Sequence, residues 1–273
     1  MRRNDYLKAA LLAALTAAAG GAAAQAADAV RTADAPRLGG ASPQLVDDLV
    51  AASHVLAAHG VVDGFGHVSV RHDKNPRHVL ISRSMAPALV TAADIIELDE
   101  QCEPVDARAG SPFLERFIHC EIYRERADVQ AVVHNHAPEV IPFTVSAVPL
   151  RPLYHMSAFL GEGVPVFEIR DHAGAASDML IRSRPLAQAL SRTLGGNAVV
   201  LMRGHGATVV GVSLPQVTFR AVYTQVNARL QMDAMRLGTV NFLTAREAAA
   251  AAATNDGQVR RAWDLWRHGV AGK

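Results

Sequence analysis

Cysteine is scarce in this sequence, with only Cys102 and Cys120 among 273 residues. No Cys-x-x-Cys pair is present, which excludes thiolate zinc ribbons and dithiol redox motifs. An exported protein could join the two thiols as a disulfide, but the spacing does not require it. We therefore expect Cys102 to lie in a polar loop and Cys120 to be a buried free thiol.

An excess of charge of either sign is also lacking, since the formal net charge is +1. Loss of residues 1–24 would remove three positive charges (Arg2, Arg3, Lys8) and one negative charge (Asp5), which changes the net charge from +1 to −1. A nearly neutral chain gives no electrostatic reason to bind nucleic acid or a membrane surface. The sequence also contains no internal repeat.

An export signal is predicted at residues 1–26. A basic head precedes an apolar run over residues 9–19, which is too short to span a bilayer. Ala22-Ala23-Ala24 supplies a cleavage pattern for signal peptidase. We expect a periplasmic protein, exported by the Sec or the twin-arginine route, or a cytoplasmic one if the segment is only a disordered Ala-rich terminus. Residues 27–42 are rich in Ala, Pro and Gly and are read as a linker.

The main domain is predicted at residues 43–240, followed by a helical extension at 241–273. Ser42-Pro43 is a favourable helix start, and Gly60 is a favourable stop. Alternating apolar residues predict a hairpin-like pair of strands at 67–71 and 79–82. Helices are predicted at 43–59, 184–194, 213–237 and 245–270.

Three histidines at strand ends form a candidate metal site. His134 and His136 follow an apolar strand, and residues i and i+2 of a strand point to the same face. His205 ends a second apolar strand and lies between two glycines. Three imidazoles can hold one metal ion, although a His-x-His at a strand end is often only a polar terminus.

These residues stand in an order that resembles the class II aldolase/adducin family. The run Glu115-Arg116-Phe117-Ile118-His119 is followed, after fourteen residues, by His134-Asn135-His136 and later by Arg203-Gly204-His205-Gly206. The resemblance covers about residues 46–237. It implies an α/β fold of three layers (α/β/α), with a central, mostly antiparallel sheet and helices on both faces. It also implies a homotetramer with active sites between subunits.

The resemblance assigns roles to the site residues. His134, His136 and His205 would bind a divalent Zn, Mn or Co ion, with Fe possible. Glu115 would be the catalytic base, in the first turns of a helix capped by Ser111-Pro112, where the helix dipole favours the ionised carboxylate. His119, one turn further on, would have a structural or supporting role, or a catalytic one.

The resemblance also implies a general acid: counted from the metal histidines, the tyrosine that a neighbouring subunit contributes in the sugar aldolases falls on or beside His155. Tyr154 is adjacent, so either side chain could serve, and both could instead pack in an interface.

The positions that bind phosphate in sugar-phosphate members have changed here. They read Gly66-His67-Val68-Ser69 and Ser82-Arg83-Ser84, and Phe113-Leu114 precede Glu115. Backbone N–H groups and hydroxyls suit a phosphate. An imidazole at His67 and a guanidinium at Arg83 suit a carboxylate instead. The predicted substrate-binding residues are His67, Ser69, Ser82 and Arg83, although Arg83 could also be an ordinary surface residue.

Within the family, these strings resemble metal-dependent decarboxylases of hydroxylated aromatic acids, typified by 3-hydroxy-2-methylpyridine-4,5-dicarboxylate decarboxylase. The expected function is a metal-dependent carbon–carbon lyase that decarboxylates, or cleaves in a retro-aldol reaction, a small hydroxylated carboxylic acid. The alternatives are a sugar-phosphate aldolase or epimerase, a three-His non-haem iron oxygenase, and a non-catalytic adducin-like interaction domain. Retention of the three histidines and Glu115 argues against the last.

Overall fold

The computed structural model describes residues 38–271. The predicted export signal and most of the predicted linker lie outside the described residues. Within them, seven strands form one sheet. Their bounds are β1 (His67–Arg71), β2 (Val79–Ser82), β3 (Ile95–Leu98), β4 (Ala131–Asn135), β5 (Val166–Phe167), β6 (Val199–Met202) and β7 (Gly206–Gly211).

The sheet has the strand order β3-β2-β1-β4-β7-β6-β5. Every neighbouring pair is antiparallel except β5 and β6, which are parallel. The prediction of a mostly antiparallel sheet is therefore confirmed. The sequence pattern missed β3, and β5 is shorter than the strand that the apolar run 164–169 suggests.

Most of the helices predicted from the sequence are present in the described part of the chain. Ser42 caps the first helix, because its side chain accepts a hydrogen bond from the Leu45 amide. The α-helices are α1 (Pro43–Ala58), α2 (Arg116–Glu125), α3 (Ile141–Val145), α4 (Arg170–Ala173), α5 (Arg184–Leu194), α6 (Leu214–Leu237), α7 (Ala245–Asp256) and α8 (Val259–Val270). The 3₁₀ turns are Pro87–Leu89, Ala92–Asp94, Pro138–Val140 and His155–Leu160. From residue 38 to 271, no helix has the length and apolar character needed to cross a bilayer.

Helices cover both faces of the sheet, which confirms the three-layer architecture. Side chains alternate along a strand, so the neighbours Val132 and Val133 belong to different apolar cores. Val133 packs in the core that contains residues of α1, α6 and α8. Val132 packs in the core that contains residues of α2 and α5.

The two cysteines form a disulfide bond, so the expectation of a free thiol at Cys120 is wrong. Cys120 lies on α2, and its Cα is 6.0 Å from the Cα of Cys102, within the usual range for a disulfide. The backbone of Cys102 has φ +69°, in the left-handed region. That turn reverses the loop after β3 and brings Cys102 against α2, which a separation of 18 residues does not reveal.

Candidate metal centre

Three imidazoles converge on one point at the end of the sheet. His134 and His136 lie at the C-terminal end of β4, and His205 lies in the turn between β6 and β7. Nε2 of His136 is 3.0 Å from Nε2 of His134 and 3.0 Å from Nε2 of His205. The structure thus brings the three predicted metal ligands together.

Glu115 completes the group from the other side. Its Oε2 lies 3.4 Å from Nε2 of both His134 and His205, and one ligand atom of each of the four residues lies within 4.8 Å of the others. Its Oε1 accepts a hydrogen bond from the Ile181 amide at 2.8 Å. The carboxylate is therefore fixed at both oxygens.

The predicted start of the Glu115 helix is wrong. Helix α2 begins at Arg116, and Glu115 occupies the preceding position with φ −92° and ψ 17°. Its side chain does not cap the helix, because it is directed to Ile181 and the histidines instead. Ser111 and Pro112 precede the helix without forming part of it.

Two backbone carbonyls set the orientation of the imidazoles. Nδ1 of His134 lies 3.2 Å from the Ala207 carbonyl oxygen, and Nδ1 of His205 lies 2.9 Å from that of Met179. A carbonyl can only accept a hydrogen bond, so each Nδ1 carries the proton. The lone pair of each neutral ring is then on Nε2, which faces the centre of the group.

Two glycines allow the backbone to approach this closely. A Cβ on Gly206 would lie 2.0 Å from the carbonyl oxygen of Asn135. Gly66 has φ +88°, and a Cβ there would lie 3.0 Å from the carbonyl oxygen of His134. Side chains at these positions would separate β4 from its neighbours at the point where the histidines meet.

Burial and mutual charge shift the pKa values within the group. Burial alone would raise the pKa of Glu115, but the charges and hydrogen bonds of His134 and His205 outweigh it and hold that pKa well below its usual range. Burial, reinforced by His134 and His205, lowers the pKa of His136 to about 4. Burial would also lower the pKa of His205, but the hydrogen bond and charge of Glu115 raise it.

The donor set fits a divalent metal ion. Two ligand atoms, nitrogen or oxygen, that bind one ion at about 2.1 Å are about 3.0–3.4 Å apart when the angle at the ion is between 90° and tetrahedral. The observed separations of 3.0 and 3.4 Å agree with this. Without a cation, converging lone pairs and a carboxylate would repel each other. Three imidazoles and one carboxylate suit Zn, Mn, Co or Fe.

A cavity of about 280 Å³ opens beside the group. Its wall combines apolar surface with the polar residues His67, Ser84, Glu115 and His136. The Phe113 ring lies against the His67 ring, with centroids 4.3 Å apart. Phe65 lies on the rim and is 70% exposed. The remaining lining residues are Gly64, Gly66, Met85, Ala86, Leu114 and Leu180.

Of the four predicted substrate-binding residues, only His67 lines this cavity. Ser69 is fully buried, and its hydroxyl contacts His119 and Tyr123. Ser82 lies on the other face of the sheet, because it alternates with Ile81, which packs in the core of α2 and α5. The prediction of direct contact by Ser69 and Ser82 through this cavity is therefore not supported by their placement.

Arg83 is also placed away from the cavity wall. Its Nε donates a hydrogen bond to Oδ1 of Asp94 at 2.8 Å, and the side chain is 44% exposed. The neighbouring residues Ser84 and Met85 face the cavity instead. An ion pair with Asp94 leaves this guanidinium less available for a substrate carboxylate.

Tyr154 and His155 lie beside α6 and α7. The Tyr154 ring contacts those of His155 and Tyr223, and the His155 carbonyl accepts a hydrogen bond from Asn255. Burial raises the pKa of Tyr154 to about 12. Within the described residues no hydrogen bond joins either side chain to the histidine group, so their predicted catalytic role depends on a second copy of the chain.

Sequence reasoning missed the loop over residues 178–182. Its backbone supplies the Met179 carbonyl to His205 and the Ile181 amide to Glu115. Backbone groups carry no residue-type signal. Met179 has a positive φ of +67°, which a sequence does not predict for a methionine because this conformation is typical of glycine.

The fold and the converging His and Glu side chains define an α/β protein with a candidate metal centre at one end of a mostly antiparallel sheet. Residues 47–232 match the Class II Aldolase and Adducin N-terminal domain family. The chain belongs to this family. The resemblance predicted from the sequence motifs is thereby confirmed.

Several relatives are named decarboxylases, and two of them are similar over most of their length. The chain is 36% identical over 244 residues to Decarboxylase tropJ of Talaromyces stipitatus, covering 81% of this chain and 92% of the relative. It is 32% identical over 246 residues to a 3,4-dihydroxyphthalate decarboxylase of Terrabacter sp., covering 85% and 96%. The predicted similarity to decarboxylases within the family is confirmed.

A solved structure shows the same fold. An aldolase II superfamily protein from Pseudomonas syringae aligns with a TM-score of 0.71 and 21% identity, covering 85% of this chain and 94% of that one.

Proposed function

We propose that this protein is a metal-dependent decarboxylase of small hydroxylated aromatic acids. The observation that carries the proposal is the convergence of three imidazole Nε2 atoms and one Glu115 oxygen within 4.8 Å of one another, at the edge of a cavity with both apolar and polar walls. The names of the two relatives support the reaction type.

His134, His136, His205 and Glu115 would hold the ion. When bound, a divalent ion supplies positive charge to the hydroxyl and carboxylate oxygens of the substrate and so stabilises negative charge that develops on the ring. Decarboxylation breaks the bond between ring and carboxylate, leaves the electron pair on the ring carbon and requires a proton there. Glu115 is held ionised by its two histidine neighbours, so it is suited to binding the ion or accepting a proton rather than donating one.

The proton donor is expected to come from elsewhere. Within the described residues Tyr154 and His155 make no hydrogen bond to the histidine group of their own chain, and a homotetramer with active sites between subunits would supply them from a neighbouring copy. This assembly remains a prediction, as does export to the periplasm.

The cavity wall suits a planar aromatic acid. Phe65, Phe113 and Leu114 supply apolar surface for a ring, and His67 supplies a polar group for a carboxylate. Displacement of water from such a surface favours an aromatic over a sugar. An ortho-hydroxybenzoate is the simplest acid with a hydroxyl and a carboxylate close enough to share one ion.

The test is carbon dioxide release from 3,4-dihydroxyphthalate and from 2,3-dihydroxybenzoate by protein that has been stripped with a chelator and reloaded with Zn, Mn, Co or Fe(II). We expect release that requires a metal and disappears in His136→Ala. The matched control His172→Ala replaces a histidine that stacks on Phe167 outside the group and should retain activity.

Other outcomes would overturn the proposal. Cleavage of fuculose 1-phosphate without activity on either aromatic acid would establish the aldolase alternative. Turnover only with iron and with consumption of oxygen would establish an oxygenase. If the protein neither binds a metal nor turns over any of these substrates, the non-catalytic interaction domain is favoured.

A further inference from the structure

A buried chain of four side chains leads from the cavity into the protein. Nδ1 of His67 lies 2.6 Å from Nε2 of His119, and Nδ1 of His119 lies 2.6 Å from the Ser69 hydroxyl. The Ser69 hydroxyl lies 2.9 Å from that of Tyr123. All four residues are buried, and only His67 lines the cavity.

The protons of this chain can be arranged in two directions. Each hydrogen bond between two imidazole nitrogens uses one N–H and one lone pair. If Tyr123 donates to Ser69, then Ser69 donates to His119, and His119 donates through Nε2 to Nδ1 of His67. In the reverse direction, His67 donates through Nδ1, and Ser69 finally donates to Tyr123.

The phenol decides between these directions. In the reverse arrangement the Tyr123 proton needs a further acceptor. Among residues 38–271 the phenol oxygen has two hydrogen-bond partners, the Ser69 hydroxyl and the backbone of Val132. The Val132 contact lowers the pKa of the phenol, as a donating amide does, so it cannot accept that proton. A buried donor without an acceptor is costly. Burial raises the pKa of Tyr123, so the phenol keeps its proton. In the forward arrangement the Tyr123 O–H, the Ser69 O–H and the His119 N–H each have an acceptor, and the remaining N–H, on Nε2 of His67, is left for the cavity that His67 lines.

We propose that Tyr123, Ser69 and His119 act as positioning residues that hold His67 in the tautomer with its proton on Nε2. His67 accepts at Nδ1 and, as a neutral ring, presents one N–H to the cavity. This makes His67 a fixed hydrogen-bond donor beside the metal centre, which suits an acceptor oxygen and binds an ionised one more strongly.

This inference rests on the proposed function for its substrate class, because the group that would accept the hydrogen bond from His67 is the carboxylate of an aromatic acid. A neutral N–H binds a carboxylate oxygen and orients the ring without adding a charge that would compete with the metal. A hydroxyl of a sugar can donate as well as accept, so it gains less from a position that only donates.

The direct test is ¹⁵N NMR of metal-free full-length protein with labelled histidine, recorded in the solid state so that assembly size does not matter. The His67 signals are assigned by their loss in His67→Gln. We expect the Nε2–H tautomer of both His67 and His119 to exceed the other form by about tenfold or more, because an unpaired buried phenol disfavours the alternative. A proton on Nδ1 of His67 would overturn the inference.

Variants add a second readout. Tyr123→Phe removes the group that sets the direction, so a second His67 tautomer should appear. Tyr223→Phe, a matched change in a different ring cluster, should leave the spectrum unchanged. The inference is wrong if both variants keep one tautomer, because the phenol would then not control the chain.

Substrate binding tests the consequence. The amide nitrogen of Gln can stand near the position of imidazole Nε2, whereas Leu has no donor. We expect His67→Leu to raise KM for 3,4-dihydroxyphthalate by about tenfold or more with a smaller change in kcat, and His67→Gln to restore most of the loss. Equal KM values in the two variants would contradict a donor role.

The two proposals fail separately. If the tautomer is observed but no aromatic acid is decarboxylated, the proposed function is wrong while the assignment of the proton stands. If decarboxylation is observed with the proton on Nδ1 of His67, the proposed function stands while the assignment of the proton is wrong.

Discussion

The carbonyl of Met179 accepts a hydrogen bond from Nδ1 of His205 at 2.9 Å, and Met179 has a left-handed backbone with φ +67°. A side chain other than glycine is unfavourable in this conformation. The structure therefore holds an unfavourable backbone geometry at the residue that orients a candidate metal ligand. Outliers of this kind are often found at functional sites.

Two substitutions at Met179 separate backbone geometry from side-chain packing. A β-branched residue is strongly disfavoured at positive φ, so we expect Met179→Val to displace the carbonyl and weaken metal binding by about 10–100-fold. Met179→Gly removes more side chain but permits the same φ, so it should bind metal more tightly than the Val variant. Calorimetric titration with zinc measures both affinities, and equal losses would show that the methionine side chain is what matters.

Removal of one ligand should abolish stabilisation by metal. A ligand that binds only the folded state stabilises it by about 2.7 kcal/mol at a concentration one hundred times Kd. We expect zinc to raise the Tm of the wild-type protein and of His172→Ala, and to have little effect on His205→Ala. If His205→Ala retains one equivalent of metal by elemental analysis, the assignment of His205 as a ligand is wrong.

The metal centre could be predicted because its signals are local. His134 and His136 are two residues apart at the end of an apolar strand, and the alternation of a strand then fixes their shared face. His205 follows a similar strand and has glycine on both sides. The order of these motifs shows the family resemblance, and the resemblance predicts the mostly antiparallel sheet.

The surroundings of the centre could not be predicted because they depend on strand register and on loops. Both Leu80 and Ile81 of β2 are fully buried, so the pattern does not show which face Ser82 occupies. Ser69 does share the face of His67, but only the packing of α2 reveals that His119 and Tyr123 cover it. The disulfide depends on a left-handed turn at Cys102 that the residue type does not indicate.

The Cys102–Cys120 disulfide should contribute measurably to stability. A cross-link that closes a loop of 18 residues stabilises a folded protein by about 3 kcal/mol, within a usual range of 2–4 kcal/mol. We expect dithiothreitol to lower the free energy of unfolding of the wild-type protein by that amount, measured with urea. The double variant Cys102→Ala/Cys120→Ala should not respond to the reductant.

Export predicts a shortened chain. Cleavage after the Ala22-Ala23-Ala24 pattern would give an N-terminus near Gln25 or Ala27, in an oxidising compartment where the disulfide can form. Mass spectrometry of protein purified from its native host measures this terminus. An intact Met1 on soluble cytosolic protein would contradict export.

Arg83 provides the last test, because its sequence context and its contacts point in different directions. Its match to a phosphate-binding position of the family predicts a substrate carboxylate as its partner, but the guanidinium is half exposed and paired with Asp94. An exposed ion pair contributes about 0–1 kcal/mol to stability. We therefore expect Arg83→Ala to bind metal normally, to lose no more than about 1 kcal/mol of unfolding free energy, and to change KM for 3,4-dihydroxyphthalate little.

The matched control for this variant is Arg77→Ala, which removes another exposed arginine paired with an acid, Glu100. Steady-state kinetics of both variants, with metal content measured in parallel, give the comparison. A KM raised by about tenfold or more in Arg83→Ala alone would mean that the guanidinium leaves Asp94 when substrate binds. The loss of a charge-assisted bond to a carboxylate is large enough to produce such a change, and the assignment of Arg83 as a substrate-binding residue would then stand.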